Sequence, residues 1–287
     1  TKLNYNIKLL MKIYQDITIV LISYKSKDKI KNFIKNISKK LKIIIIENSQ
    51  DSKLKNEIRM YENINIYLKN NIGYGSAANF AKSKISSKYF LLCNPDIENI
   101  NNNTIENFYR IAESLYPNFL SLGPSFDKKK NDIKETFKKK DKISGACMFF
   151  CSLSFDKLKG FDENIFLYFE EDDLCKRANK LKLFSYELNK VFVEHKVGTS
   201  SSNIDEIEKK KIKELTLWHF IWSKFYFYKK HKGKILAIIL FIPVLIRILF
   251  KIFLTKVIFD RENNRKYKIR LSGLISSILD KKSFKRI

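Results

Sequence analysis

Glycine and proline are scarce in this 287-residue chain, at 8 and 4 residues, which excludes collagen-like repeats and linker-rich low-complexity sequence. Cysteine is equally sparse. Cys93, Cys147, Cys151 and Cys175 form no C-x-x-C pair and no ladder of spacings, so neither a disulfide scaffold nor a zinc ribbon is expected; buried thiols in a reducing cytosol are the simpler reading. Thr1 to Asp16 mixes Lys, Asn and Leu and lacks the continuous apolar core of a signal peptide, so the expectation is a protein that stays where it is made. Negative charge is also short: 30 Asp and Glu face 56 Lys and Arg, a formal net charge of +26. What abounds is apolar. Hydrophobic residues at 45% and aromatics at 14% supply a sizeable core and exclude wholesale disorder.

The basic excess raises a nucleic-acid-binding reading, and its placement argues against it. From Asp205 on, 21 Lys and Arg accompany 7 Asp and Glu, more than half of the excess. There they alternate with long apolar runs, not with the Gly and aromatic pattern of an RNA-binding sheet. Basic plus apolar is the composition of a surface that docks on anionic lipid, so an anionic membrane is the expected partner and nucleic acid is not. Ile235 to Leu254 has the ~20 apolar residues of a bilayer span. Pro243, Arg247 and Lys251 interrupt it, and a charge at a helix centre costs roughly 2.5–3.5 kcal/mol on insertion scales. An in-plane or re-entrant helix, peripheral at the inner face of the cell membrane, fits better than a span; a buried hairpin in a soluble protein is the alternative.

The first two thirds alternate strand-like and helix-like segments. Ile17 to Ser23, Lys42 to Ile46, Ile64 to Leu68 and Tyr89 to Cys93 read as buried strands. Helices are expected over Lys27 to Leu41, Ser52 to Tyr61, Ser76 to Ser83 and Thr104 to Leu115. Later, Ile143 to Cys151 is strand-like, Phe169 to Leu183 helical, and Lys128 to Lys142 a solvated loop or helix face. The rhythm predicts an α/β domain over residues 1–202 with a largely parallel sheet, whose ligands sit at the carboxyl ends of the strands. A helical, basic and apolar extension follows over 203–287.

Four constellations carry candidate chemistry. Strand ends offer Tyr24, Glu47 and Asn94-Pro95-Asp96; each alone is turn chemistry, but together they suit a nucleotide pocket, and Asp96 could reach a divalent ion on phosphate. Asn71 to Asn79 places Gly73 and Gly75 before a small-residue helix start whose amides could face phosphate; a loop and helix cap explains the segment as well. Glu170 to Asp173 puts four acids at a helix start, which the helix dipole partly explains, and such crowding can raise one pKa to a general-base value. His195, after a strand-like segment, is a fourth candidate, although a lone His is more often structural.

In order, these motifs resemble the family 2 glycosyltransferases, above all the rhamnosyltransferase-like branch of bacterial surface polysaccharide synthesis. They stand here as Ser23 to Ser26, Glu47-Asn48-Ser49, Asn71 to Asn79, Asn94-Pro95-Asp96, Gly145-Ala146, Gly160 to Glu163, Glu170 to Arg177 and His195 to Ser200. The resemblance implies a GT-A fold, a nucleotide-diphosphate-sugar donor, a glycan or lipid-linked acceptor, a divalent cation (Mg²⁺ or Mn²⁺) and an inverting displacement. It assigns Asp96 and His195 to the metal and Glu47 to the nucleotide base or ribose. Tyr24, Asn71, Gly73, Gly75, Asn79 and Asn94 would also lie on the donor side, and Gly145 and Ala146 on the acceptor side. Glu171 would be the general base, with Asp172 a competitor and Asp173 an anchor of the helix start. Four residues depart from the pattern: Lys25 replaces Asn, Glu47 and Glu171 each replace Asp, and Asn94 stands where the wider fold often has Asp. A basic nucleic-acid binder and a membrane-associated relative without turnover remain the rival readings.

Overall fold

The computed structural model describes residues 2–127, 135–195 and 204–286. The chain forms two compact units: Thr1–Phe161 with Glu171–Asn203, and Asp162–Glu170 with Ile204–Ile287.

In the first unit the strands are β1 (Ile17–Ser23), β2 (Lys42–Glu47), β3 (Ile64–Leu68), β4 (Tyr89–Cys93), β5 (Ile97–Glu98), β6 (Phe119–Ser125), β7 (Phe137–Lys140), β8 (Cys147–Cys151), β9 (Phe184–Phe192) and β10 (Glu194–His195). Eight of them make one sheet in the order β3-β2-β1-β4-β8-β6-β9-β7, and β5 and β10 form a separate ribbon. β8 and β7 run against the other six, so the sheet is largely parallel, as its continuous apolar runs require. The chain steps from β1 outward to β2 and β3, then returns to place β4 on the other side of β1. That reversal opens a crevice at the carboxyl ends of β1 and β4.

Alternation along the strands builds a core on each face. Ile19, Leu21, Ile43, Ile45 and Leu91 meet Ile30 and Phe33 of α2 (Lys27–Lys35) and Ile105 and Phe108 of α5 (Asn102–Leu115). Val20, Ile22, Ile44, Ile46 and Leu92 face Ala77, Ala78 and Ala81 of α4 (Tyr74–Lys82) and Leu174 and Ala178 of α7 (Glu170–Lys180). Both α3 (Ser52–Ile58) and α5 are capped by their preceding side chains, Asp51 accepting from the Leu54 amide at 3.0 Å and Asn101 from the Thr104 amide at 3.0 Å.

Several expected boundaries shift. A helix not expected from the sequence, α1 (Lys2–Asp16), precedes β1. The helix expected over Lys27 to Leu41 ends at Lys35; Ile37 and Leu41 kept its period only because they are buried from the following turns. The second stops at Ile58, the acidic one runs Glu170–Lys180, and the strand sought from Ile143 starts at Cys147. Within the expected solvated stretch, residues 137–140 are the edge strand β7, whose three lysines blunt an open edge. Residues 128–134 lie outside the described residues. So do 196–200, the rest of the motif that begins at His195.

The second unit contains α8 (Glu206–Lys232), α9 (Lys234–Val257) and α10 (Arg261–Ile278), packed around Phe225, Phe241, Ile248 and Leu274. The expected cut at residue 202 differs from this division, because Asp162–Glu170 packs with these helices. The Phe166 ring lies 4.6 Å from that of His219, Phe169 sits between Phe220 and Phe227, and Ser223 Oγ donates to Leu167 O at 2.8 Å. Asp162 accepts from Tyr226 Oη at 3.0 Å and pairs with Lys230 Nζ at 2.7 Å. α9 is long and apolar enough to cross a membrane, and 17% of its most apolar stretch is buried. That exposure disfavours the buried-hairpin alternative.

Candidate active site

The crevice at the carboxyl ends of β1, β2 and β4 collects the first motifs. After β1, Lys25 takes φ 51, a left-handed conformation that Asn adopts more readily than Lys. Glu47 has no exposed surface. Its Oε2 accepts from the amides of Ser49 (2.9 Å) and Asp51 (2.8 Å), and its Oε1 from the Ser49 hydroxyl (2.6 Å) and the Lys25 amide (3.4 Å). The carboxylate therefore ties the two strand-end loops together, and the contact with a nucleotide expected of it would run through the loops it shapes. Tyr24 lies on one of them, its carbonyl accepting from Ser26 Oγ at 3.0 Å.

Two polar atoms here are buried without a partner among the described residues: Ser23 Oγ and Asn48 Oδ1. Orphaned acceptors and donors of this kind are rare inside proteins, and both lie at the crevice, Asn48 donating its other end to Gly73 O at 3.3 Å. Both residues lie in the motifs quoted above, where neither was given a role.

Gly73, at φ 88, starts α4, and Asn71 Oδ1 accepts from its amide at 3.2 Å. Gly75 is buried in the first turn, and the alanines that follow let α4 lie close on the sheet. Asn79, expected on the donor side, is held by Phe161. Its Nδ2 donates to Phe161 O and its Oδ1 accepts from the Phe161 amide, both at 2.9 Å. A side chain at Gly160, φ 67, would collide with that amide group, so the Gly-Phe pair and Asn79 form one clamp.

Asp173 belongs to the same clamp. It has no exposed surface and accepts from Arg177 Nε at 2.8 Å, while the other guanidinium nitrogens donate to Leu158 O and Gly160 O, each at 2.7 Å. Asp172 pairs instead with Lys142 at 2.7 Å, and this partner raises the lysine's pKa. Glu171 is the acid that differs. Partial burial pushes its carboxyl above the usual carboxylate range, and the neighbouring Asp172 adds to the shift, while Lys142 and the Gly145 amide oppose it. The absence of a side chain at Gly145 matters: a Cβ there would lie 3.3 Å from the Glu171 carboxyl carbon.

Residues Gly145 and Ala146 are where distant motifs meet. Tyr74 Oη donates to Gly145 O at 2.6 Å, and the Asn94 amide to Ala146 O at 2.9 Å. Asn94-Pro95-Asp96 then leads into the β5–β10 ribbon, which pairs Ile97 with His195 and leaves His195 Nε2 3.6 Å from the buried Asp96 Oδ1. One carboxylate and one imidazole suit Mg²⁺ or Mn²⁺ when substrate phosphates and water fill the remaining positions. Among the described residues no group of three or more His, Cys, Asp or Glu could hold a metal.

No family model matches the chain. In sequence it is similar to the low-salt glycan biosynthesis hexosyltransferase Agl10 of Haloferax volcanii, 26% identical over 195 residues, a match covering 58% of this chain and 62% of that protein. The chain thus spans less than two thirds of that relative's length. In structure it is similar to the mannosyltransferase PcManGT from Pyrobaculum calidifontis in complex with GDP-Man and Mn²⁺, at 10% identity and TM-score 0.57, covering 98% of this chain and 95% of that one. A second likeness is to S. aureus TarS 1-349 in complex with UDP-GlcNAc, at 12% identity and TM-score 0.53, covering 93% and 92%. GalNAc-T7 with UDP, GalNAc and Mn²⁺ matches at 11% identity and TM-score 0.56, covering 75% of this chain and 50% of that one. The fold is the mixed α/β GT-A fold of glycosyltransferases.

Proposed function

We propose that this chain is a nucleotide-sugar-dependent hexosyltransferase that inverts the anomeric centre and works at a membrane surface, its motifs favouring the rhamnosyltransferase-like branch. The sequence relationship to a hexosyltransferase and the fold support the class. The observation that carries the reading is the convergence of three distant motifs on Gly145-Ala146: Tyr74 from the glycine loop, Asn94 from the Asn-Pro-Asp turn and Glu171 from the acidic helix.

The chemistry follows from those groups. Glu171 takes the proton of an acceptor hydroxyl; the oxygen attacks the anomeric carbon, and the bond from that carbon to the diphosphate breaks on the opposite side. A base with a raised pKa suits this task, which is worth ~10²–10⁴-fold in rate. Asp172 is less suited, since Lys142 holds it as an ion pair. Asp96 and His195 would hold a divalent cation, which when bound supplies Lewis-acid stabilisation of the leaving diphosphate. Ser23 and Asn48 offer their unpartnered atoms to the donor, and the loop tied by Glu47 sets the crevice's wall. The donor is a nucleotide-diphosphate hexose and the acceptor a glycan or lipid-linked hydroxyl; the exposed face of α9 and its basic flanks attach the chain to the inner leaflet.

A thermal-shift series with nucleotide sugars, each with and without Mn²⁺ or Mg²⁺, tests the reading, since a bound ligand raises the melting point by mass action. Cation-dependent stabilisation by at least one donor is expected, and Asp96→Ala should remove it together with turnover. Full turnover in EDTA would rule out the assigned role of Asp96 and His195.

A further inference from the structure

The corner between α9 and α10 encloses a concavity of about 900 Å³. Its lining is of two kinds. Lys256, Arg261 and Lys268 supply positive charge, and Phe253, Val257 and Phe259 supply exposed apolar surface, Phe259 at 86% and Phe253 at 65% exposure. The floor is fixed: Asn264 Nδ2 donates to Ile252 O at 2.8 Å and to Thr255 Oγ1 at 3.0 Å, and Asp260 caps α10 by accepting from the Asn263 amide.

Some cations of the helical unit are neutralised, although Arg247, Lys251 and Arg270, away from the concavity, have no ion pair among the described residues. Arg265 pairs with Glu214 at 2.6 Å, and Lys266 and Lys213 with Glu262 at 2.9 and 3.8 Å. Lys256, Arg261 and Lys268 have no carboxylate within ion-pair distance among the described residues. With Lys285, which also lines the concavity and has no ion pair among the described residues, four uncompensated cations around one concavity call for an anion. A small soluble anion would leave most of the volume and all of the aromatic rim unused, and an uncharged tail would leave the cations unused. An anionic amphiphile uses both. The rim is also continuous with the exposed Ile246, Leu249, Phe250 and Phe253 along α9, where a tail would continue into the acyl layer.

We propose that the α9–α10 concavity binds the phosphate head of a membrane lipid, with Lys256, Arg261 and Lys268 on the phosphate and Phe253, Val257 and Phe259 beside the first methylenes. This rests on the membrane-side part of the proposed function and not on its catalytic part. It gives the helical unit selectivity for a head group, beyond the general attraction of basic residues to anionic lipid.

The test uses the full chain and co-sedimentation with phosphatidylcholine vesicles carrying nothing further, a few mole per cent of phosphatidic acid, or phosphatidylglycerol at matched surface charge. A terminal phosphate accepts more charge-assisted hydrogen bonds than a diester, so phosphatidic acid should be preferred by about 10-fold. Lys256→Gln/Arg261→Gln/Lys268→Gln should abolish the preference, with donor-induced thermal shifts unchanged as the check on folding; Lys268→Gln alone should reduce it. Equal binding to the two anionic lipids, or a preference that survives the triple substitution, overturns the site while leaving membrane attachment intact. Displacement from phosphatidic acid vesicles by inorganic phosphate assigns the cations to a soluble anion and also overturns it. Binding to no vesicle at all overturns attachment and the lipid site together, and says nothing against sugar transfer.

Discussion

Glu171, Asp172 and Asp173 are consecutive, yet each meets a different environment because helix neighbours point about 100° apart. Asp173 turns to Arg177, Asp172 to Lys142, and Glu171 to the bare backbone of Gly145. Glu171→Gln keeps the size and removes the base, so turnover should fall by ~10²-fold or more while donor binding by calorimetry holds. The raised pKa adds a signature in stability. The folded state holds this proton more tightly than the unfolded chain, so stability declines as pH rises from the ordinary carboxylate value through the folded one. Glu171→Gln should therefore melt higher than the parent at neutral pH, and the gain should vanish in acid below the unfolded value. In the parent, turnover should rise through a pKa above the ordinary carboxylate range. If Asp172→Asn is the dead variant and Glu171→Gln is active, the base is Asp172. Lys25 offers a second test at this scale: Lys25→Asn places a residue suited to φ 51 and should stabilise by about 0.5 kcal/mol in urea titrations.

At the scale of elements, the clamp of Asn79, Gly160, Asp173 and Arg177 joins a residue expected on the donor side, Asn79, to one expected to anchor the helix start, Asp173. Arg177→Ala removes the ion pair from buried Asp173 and takes this donor away from two carbonyls. A loss of about 3 kcal/mol is expected, read by denaturant unfolding, with the KM for donor little changed; a large KM effect at unchanged stability would place Arg177 in the donor site instead. The four strands of the first half were legible because continuous Ile, Val and Leu runs admit few other readings, and their ends gave the crevice. Helix ends were less so, since Ile37 and Leu41 keep a helical period from turns. β6, with its Gly123-Pro124, and β7, with three lysines, hide behind residues that usually mark loops. The β5–β10 ribbon is two residues per strand, too short to leave a pattern, although it is what brings His195 to Asp96. The clamp was hidden for a different reason: polar motifs read alike whether they hold a ligand or hold each other.

For the whole molecule, charge and apolar surface gather in the helical unit, so cell fractionation should find the chain on membranes and partly released by high salt. Replacing the exposed Ile246 and Phe250 with Ser should move it to the soluble fraction with its melting point preserved; a parent chain that stays soluble and ignores anionic vesicles would exclude attachment. The path of the backbone has a further consequence. The chain leaves the sheet unit at Phe161, lends Asp162–Glu170 to the helices, returns at Glu171 and departs again after Asn203. A single genetic crossover near codon 203 would join a foreign α8 to a native Phe166–Phe169 segment shaped for other partners. Helical tails are thus inherited together with Asp162–Glu170, the stretch that runs into the acidic helix, and a chimera between relatives should fold only when both stretches come from one parent.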